Sequence, residues 1–569
     1  MGLEDIGNDI FDELVMKYFF QDVNVEARYG RGKPDRITTF RMHDLMHDLA
    51  HSVMENEYCV VHNGKSKDIS PRIHHVSSNG LGILLASLPK AQMLRTYVML
   101  EEETNDMLEE EADFQFPCDV GHFKCLRALD FMRQDKQKVK KQLFTSLGNL
   151  QHLRYLNISF TLIKMLPESL TSLCHLQTLI LLHSTELCEL PKEMSKLTNL
   201  RCLDITNCCK LTHMPPKMGQ LSCLQELSNF IVGRTNEIAC SGIGELQGLN
   251  LKGRLKIQRL QNITDAIDVP RDTLINKPNL TSLVLGMWVS EFGCWRCNYL
   301  PPLGELPFLK VLRIYGLENV ECIGNEFYGN EISGGFPSLK ELDICDMQKL
   351  KTWSGLEWKG ERVFPNLVKL EISSCPMLTT MEFFPNIKYL NVDQGMMQSL
   401  KNLKSFESMH QQNCNQFFFA DEDQIRSQSS LQELRIQRCC KLTFSGLGLC
   451  YLSSLKNLEI QSSNKFAHVA HELSFLTSLR ELKLSRCHGL ESLPKGIGNL
   501  TSLRRLAIYA CPEMATLPRE LQRLYALKRL YIYKCSTLEI RCTKDTGEDW
   551  DKIQHIPYIK IGDHHSARD

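Results

Sequence analysis

The chain lacks any apolar run long enough to cross a bilayer. Its longest, such as Leu179 to Leu182, fall far short of the roughly 20 residues that a spanning helix needs. No basic segment followed by an apolar one opens the sequence. Met1 to Asp12 carries acids instead, so no secretory leader is expected. Net charge is also nearly absent: 66 Lys and Arg against 67 Asp and Glu give a formal −1. That balance removes any global electrostatic case for a nucleic acid or membrane partner. A phosphate-binding loop is missing too. Gly64-Lys65-Ser66 is the tempting fragment, but Cys59 stands where the motif requires its first glycine. These absences lead to the expectation of a soluble, cytoplasmic protein that binds rather than catalyses.

What is present is repetition. At 569 residues the chain is too long for one compact core, so several domains or a repeat array are expected. Leu431-Gln-Glu-Leu434-Arg-Ile436 recurs at Leu455/Leu458/Ile460, Leu479/Leu482/Leu484, Leu503/Leu506/Ile508 and Leu527/Leu530/Ile532, in steps of 24 residues. The same pattern appears at Leu153, Leu176 and Leu200, with looser copies at Leu94, Leu126, Leu224, Leu280, Leu309, Leu339, Leu367 and Ile387. A period in this range with L-x-x-L-x-L identifies a leucine-rich-repeat array, an α/β solenoid of the horseshoe kind. In the short strand of each coil, alternate side chains point to opposite faces. Leucines two apart therefore go inward, and the residues between them point outward.

Three residues past the last strand leucine lies a position that must satisfy neighbouring backbone groups. Cys208, Cys375, Cys439, Cys487, Cys511 and Cys535 occupy it, as do Thr161 and Ser184. This ladder explains much of the count of 23 cysteines better than disulfides do in a reducing compartment. Zinc at Cys294-Trp-Arg-Cys297 is the rival reading there. A single C-x-x-C without a second pair does not carry it, so no metal is expected. Leu-Pro pairs at Leu166, Leu190, Leu493 and Leu517 should hold the return segments extended. The rhythm breaks at 101–142, where Glu101 to Asp113 is acidic and Lys136 to Lys141 basic. It breaks again at 393–430, within an interval of 44 residues between Ile387 and Leu431 that is a degenerate repeat or an insertion.

Residues 1–70 read differently from the repeats that fill 71–569. Asp5 to Phe20 has the three- and four-residue apolar spacing of a helix, Gly30 to Pro34 is a turn, and Arg36 to Phe40 is a strand candidate. A second helix opens at Met42-His43-Asp44. Helix, hairpin and helix suggest a small winged-helix module. His43, His47 and His51 share one helix face and superficially resemble a zinc motif, but the glutamate base and third ligand of that chemistry are missing. Plain packing of a helix end is the other reading.

Phe40-Arg-Met-His-Asp-Leu-Met-His-Asp-Leu-Ala50 resembles the M-H-D motif that ends the nucleotide-binding (NB-ARC) module of plant intracellular disease resistance receptors of the coiled-coil type. Arg72 to Ser77, Cys297 to Leu309 and Gly547 to Pro557 resemble the same family's repeat region. The resemblance implies that His43 lies beside the phosphates of bound ADP in a full-length receptor, with Asp44 supporting the local helix. It implies ADP or ATP as cofactor of an upstream core and none within this chain, which reads as a receptor's C-terminal part. The implied partners are a pathogen effector or a guarded host protein, and the receptor's own nucleotide-binding core. A repeat-only adaptor or decoy without signalling activity is the alternative. From the alternation, Arg504, Arg505, Tyr509, Lys528, Arg529, Tyr531 and Tyr533 face outward near the C-terminus, and Tyr and Arg dominate interface energetics. An acidic partner is expected there, against the alternative of a solvated basic edge.

Overall fold

The computed structural model describes residues 3–17, 19–28, 35–54, 57–62, 71–79, 92–100, 120–131, 146–233, 242–262, 273–274, 277–286, 300–329, 335–353, 363–379, 386–393, 407–412, 430–439, 449–463 and 466–562. The chain divides into two units: Met1–Pro191 with Asn207–Lys210, and Lys192–Thr206 with Leu211–Asp569. The acidic and basic stretches of 101–142, the fragment Gly64 to Ser66, the turn Gly30 to Pro34 and the Cys294/Cys297 pair lie outside the described residues.

The first unit opens with helix α1 (Leu3–Met16), the antiparallel strands β1 (Phe20–Arg28) and β2 (Asp35–Met42), and helix α2 (Asp44–Val53). This is the helix–hairpin–helix order that the apolar spacing suggests. The Phe11 ring of α1 stacks on Phe20 at 5.5 Å, fastening the helix to the hairpin. Parallel strands follow at Tyr58–His62, His75–Asn79, Thr96–Leu100, Ala128–Asp130, Tyr155–Asn157 and Thr178–Ile180, each paired with the next. Val76, Tyr97, Leu129, Leu156 and Leu179 stand in register and are buried. Burying one such side chain is worth roughly 1.5–3 kcal/mol.

In the second unit, Cys202–Asp204 pairs with Glu226–Leu227, and a 14-stranded parallel sheet runs from Asn229–Ile231 to Tyr558–Ile561. Leu434, Leu458, Leu482, Leu506 and Leu530 form one buried column. Ile436, Ile460, Leu484, Ile508 and Ile532 form a second beside it. The interval between Ile387 and Leu431 holds a strand, Ser408–Gln412, paired in parallel on both sides, so it carries a repeat of uneven length. A further strand, Gly253–Gln258, joins the sheet where Lys252 in place of a leading leucine had hidden it.

Many of the strands exit through a residue in the left-handed region. Phe160, His183, Asn207, Ser374, Arg438, Ser462, Arg486, Ala510 and Lys534 all have φ between 48° and 60°. That turn delivers the next residue to the ladder. Thr161, Ser184, Cys208, Cys375, Cys439, Cys487, Cys511 and Cys535 are all buried. Ser184 Oγ and Thr161 Oγ1 both reach the Ile158 carbonyl, at 3.4 and 3.0 Å, and Cys208 Sγ donates to Leu181 at 3.1 Å. The Cys511 amide donates to Cys535 Sγ at 3.3 Å, and Cys487 Sγ lies 3.6 Å from the Ile460 carbonyl. At these positions the ladder is a hydrogen-bonded stack linking one coil to the next, while Cys375 and Cys439 donate within their own coils, to Ser373 and Gln437. Pro167, Pro494 and Pro518 are extended, and one short 3-10 turn follows each before the chain re-enters the sheet.

Candidate partner-binding surface

Alternation decides which strand residues reach the outer face of the second unit's sheet. The residue between the two buried columns is Arg435, Glu459, Lys483, Ala507, Tyr531 or Lys560 in successive registered strands. Parallel pairing brings residues 24 apart side by side. Glu459 is thereby flanked by Arg435, Nε 3.7 Å away, and by Lys483, Nζ 2.8 Å away. Arg505 Nε sits 3.6 Å from the Glu481 carboxylate, and its guanidinium lies 4.9 Å over the Tyr531 ring. The expected basic edge is thus partly neutralised by acids of the preceding coil.

The aromatic residues form a continuous pavement. Tyr509 stacks on Tyr533 at 5.4 Å, Tyr533 meets Tyr531 at 6.3 Å, and Tyr531 meets Tyr558 at 5.7 Å. Such ring contacts add about 0.5–1.5 kcal/mol each beyond burial. Lys483 lies 5.9 Å over the Tyr509 ring. Burial, reinforced by its tyrosine neighbours, pushes the Tyr533 hydroxyl up to about 12, so it stays protonated at neutral pH.

Of the residues expected to meet a partner, Arg504, Lys528 and Arg529 are exposed, while Arg505, Tyr509 and Tyr531 are half-buried. Tyr533 is only 6% exposed. Its ring supports the surface from beneath the neighbouring tyrosines. Sequence reading missed Glu459, Glu481, Lys483 and Tyr558. The signal was available: each of Glu459/Lys483, Glu481/Arg505 and Tyr509/Tyr533 is one repeat length apart.

In the first unit, His43 caps α2: its Nδ1 accepts a hydrogen bond from the Leu45 amide at 3.2 Å. That leaves Nε2 as the nitrogen that carries the proton when the ring is neutral. His47 and His51 face each other at 4.5 Å, and His47 Nδ1 lies 3.4 Å from Asp48. Among the described residues, no three His, Cys, Asp or Glu side chains are grouped to hold a metal ion. No described helix is long and apolar enough to cross a membrane.

Comparison with known proteins agrees with this layout. Residues 1–50 match the winged-helix domain of disease resistance proteins, and residues 107–266 match a leucine-rich repeat region. The chain is 31% identical over 487 residues to the putative disease resistance protein RGA1 of Solanum bulbocastanum, covering 77% of this chain and 45% of that one. It is 35% identical over 444 residues to a putative disease resistance protein of Arabidopsis thaliana, covering 66% and 30% respectively. The chain therefore spans less than half the length of these relatives. A leucine-rich-repeat protein of Leptospira interrogans superposes with a TM-score of 0.32 at 19% identity, over 83% of this chain and 91% of its own. A winged-helix segment leading into leucine-rich repeats, with these relatives aligned along most of it, makes the chain a member of the plant disease resistance proteins, spanning their winged-helix and repeat regions.

Proposed function

We propose that this chain is the recognition part of a plant innate immune receptor. Its repeats bind a pathogen effector, or a host protein that an effector modifies, on the tyrosine and arginine surface of the second unit. The same repeats restrain a nucleotide-binding core in the resting state. The observation that carries this reading is the lattice around Arg505 and Tyr531, an ordered aromatic surface with exposed cations beside it, in a chain whose relatives are named for disease resistance. A ligand shifts such a receptor only by binding the active arrangement better than the resting one.

His43 belongs to the resting side of that balance. With ADP held by the core, its remaining ring N–H, at Nε2, is suited to donate to a phosphate oxygen. In a full-length receptor, His43→Ala or Asp44→Val should trigger cell death without a pathogen. If His43 only caps α2, its loss costs about 1 kcal/mol of stability, lowers abundance and activates nothing. For recognition, Arg505→Ala, Arg529→Ala and Tyr531→Ala together in the same receptor should abolish pathogen-triggered resistance at unchanged protein level. Resistance that survives all three changes refutes the assignment of this surface.

A further inference from the structure

Beside the tyrosine pavement runs a second column with different chemistry. The residue just before each strand is Lys456, Arg480, Arg504 and Lys528 in four successive coils. They are stacked by the backbone: the Arg480 amide donates to the Lys456 carbonyl at 2.7 Å, Arg504 to Arg480 at 2.8 Å, and Lys528 to Arg504 at 2.9 Å. Arg480, Arg504 and Lys528 are exposed. Among the described residues none of these three is ion-paired, whereas the cations on the sheet face, Arg435, Lys483 and Arg505, all have acids beside them. Lys456 bonds only the neutral Gln432 amide oxygen, at 2.8 Å. A groove of about 450 Å³ runs beside the first two of these cations, lined by Lys456, Arg480, Gln432 and serines that include Ser454, Ser478 and Ser502; Glu407, which also lines it, is paired with Lys388 at 3.0 Å. Arg529 is the exception on the sheet face, exposed and without an ion pair among the described residues; it adjoins the C-terminal end of the unpaired column.

We propose that this column is a docking track for an acidic α-helix of a partner protein, lying along the four cations with one helical turn per coil. The inference rests on the reading of these repeats as a binding surface and names the chemistry of what they bind. Spacing selects the helix. Neighbouring strands stand about 4.8 Å apart and a helical turn rises about 5.4 Å, so over three steps the two drift by only about 2 Å. That drift is well within the reach of an arginine or lysine side chain. An extended segment repeats its same-side residues about every 6.8 Å and falls out of step by about 6 Å over the same distance. Acidic residues at every third or fourth position would each meet one cation.

The test uses the full chain and a stapled helical peptide with glutamate at every fourth position. Its glutamine analogue, a proline-broken peptide of the same composition and a single-stranded oligonucleotide of equal charge serve as competitors, with fluorescence anisotropy as readout. The stapled acidic helix should bind about tenfold tighter than the broken peptide, a difference of about 1.4 kcal/mol. Binding should weaken as salt screens the column. Arg480→Glu with Arg504→Glu should remove it while circular dichroism stays unchanged. Equal binding of the broken or neutral peptide, tighter binding of the oligonucleotide, or no binding by any probe overturns the track. The cell-death and resistance assays of the receptor reading do not depend on this outcome, so the two can fail separately.

Discussion

Replacing Lys277 with methionine should make the second unit more stable near neutral pH, and the order should reverse at high pH. Lys277-Pro-Asn-Leu280 occupies the place that Leu306-Pro-Phe-Leu309, Phe336-Pro-Ser-Leu339 and Phe364-Pro-Asn-Leu367 hold in following coils. Leu306, Phe336 and Phe364 are buried apolar residues there, and Lys277 is buried equally, at 0% exposure. Its ammonium has one hydrogen bond, to the Leu249 carbonyl at 2.6 Å. Burial lowers its pKa from 10.5 to about 8. At about 1.4 kcal/mol per unit, keeping the charge in the fold at neutral pH costs about 3 kcal/mol at most. Methionine fills the same space without the charge but leaves the Leu249 carbonyl unbonded, a loss of about 1–3 kcal/mol. The net expectation is a gain of roughly 1 kcal/mol near neutral pH. Because the folded pKa lies below the unfolded one, the unfolded chain holds more protons between about pH 8 and 10.5, and this lysine's penalty fades as pH rises through that window. Urea denaturation of both proteins at neutral pH and near pH 10 measures this. The stability difference should favour methionine at neutral pH and fall by about 3 kcal/mol at high pH. A difference that does not change with pH would refute the buried ammonium.

Leu482→Ala and Leu506→Ala should each cost about 2–5 kcal/mol, since both side chains are fully buried between coils; hydrogen exchange should show the damage beginning in the adjacent strands. Asp549→Asn should cost about 3–5 kcal/mol, because this buried carboxylate is held by Lys552 at 2.6 Å, Arg541 at 3.1 Å and the Leu517 amide at 2.8 Å. Against the opposing effect of its burial, those bonds hold its pKa below the usual carboxylate range. Its contribution is therefore complete above that range and lost as pH falls through the lowered value, which an acid titration of stability detects. Ala510→Gly should be neutral or stabilising by up to about 1 kcal/mol, because Ala510 sits at φ 48°, whereas Ala507→Gly in the adjoining strand should destabilise; equal melting shifts would count against a strained turn.

The leucines made most of the coils legible, because a strand that buries alternate residues must repeat them. In sequence, the strand Ser408–Gln412 leaves its interval open between a degenerate repeat and an insertion: Gln411 stands in register with Val392 and Ile436, so polar sequence fills an apolar position of the pattern. Lys277 was hidden for the same reason. The surface was half legible. Alternation gives the outward residues of one strand, but not which residue of the next coil lies beside each. Arg505 reads as a free cation in sequence, while Glu481 of the preceding strand and Tyr531 of the following one fix its role. Tyr533 reads as outward and is covered by rings contributed by two other positions.

The left-handed turn and the thiol ladder have a consequence for how such genes can change. Between Leu455 and Leu527, each coil offers its successor the same donors and acceptors that it receives from its predecessor. Deleting or duplicating one block of 24 residues by unequal crossing-over would join like to like. The backbone ladder, the buried columns and the turn would survive, while the outward side chains would be reshuffled against new neighbours. A receptor lineage built this way can test new surfaces in single genetic steps while its interior stays the same.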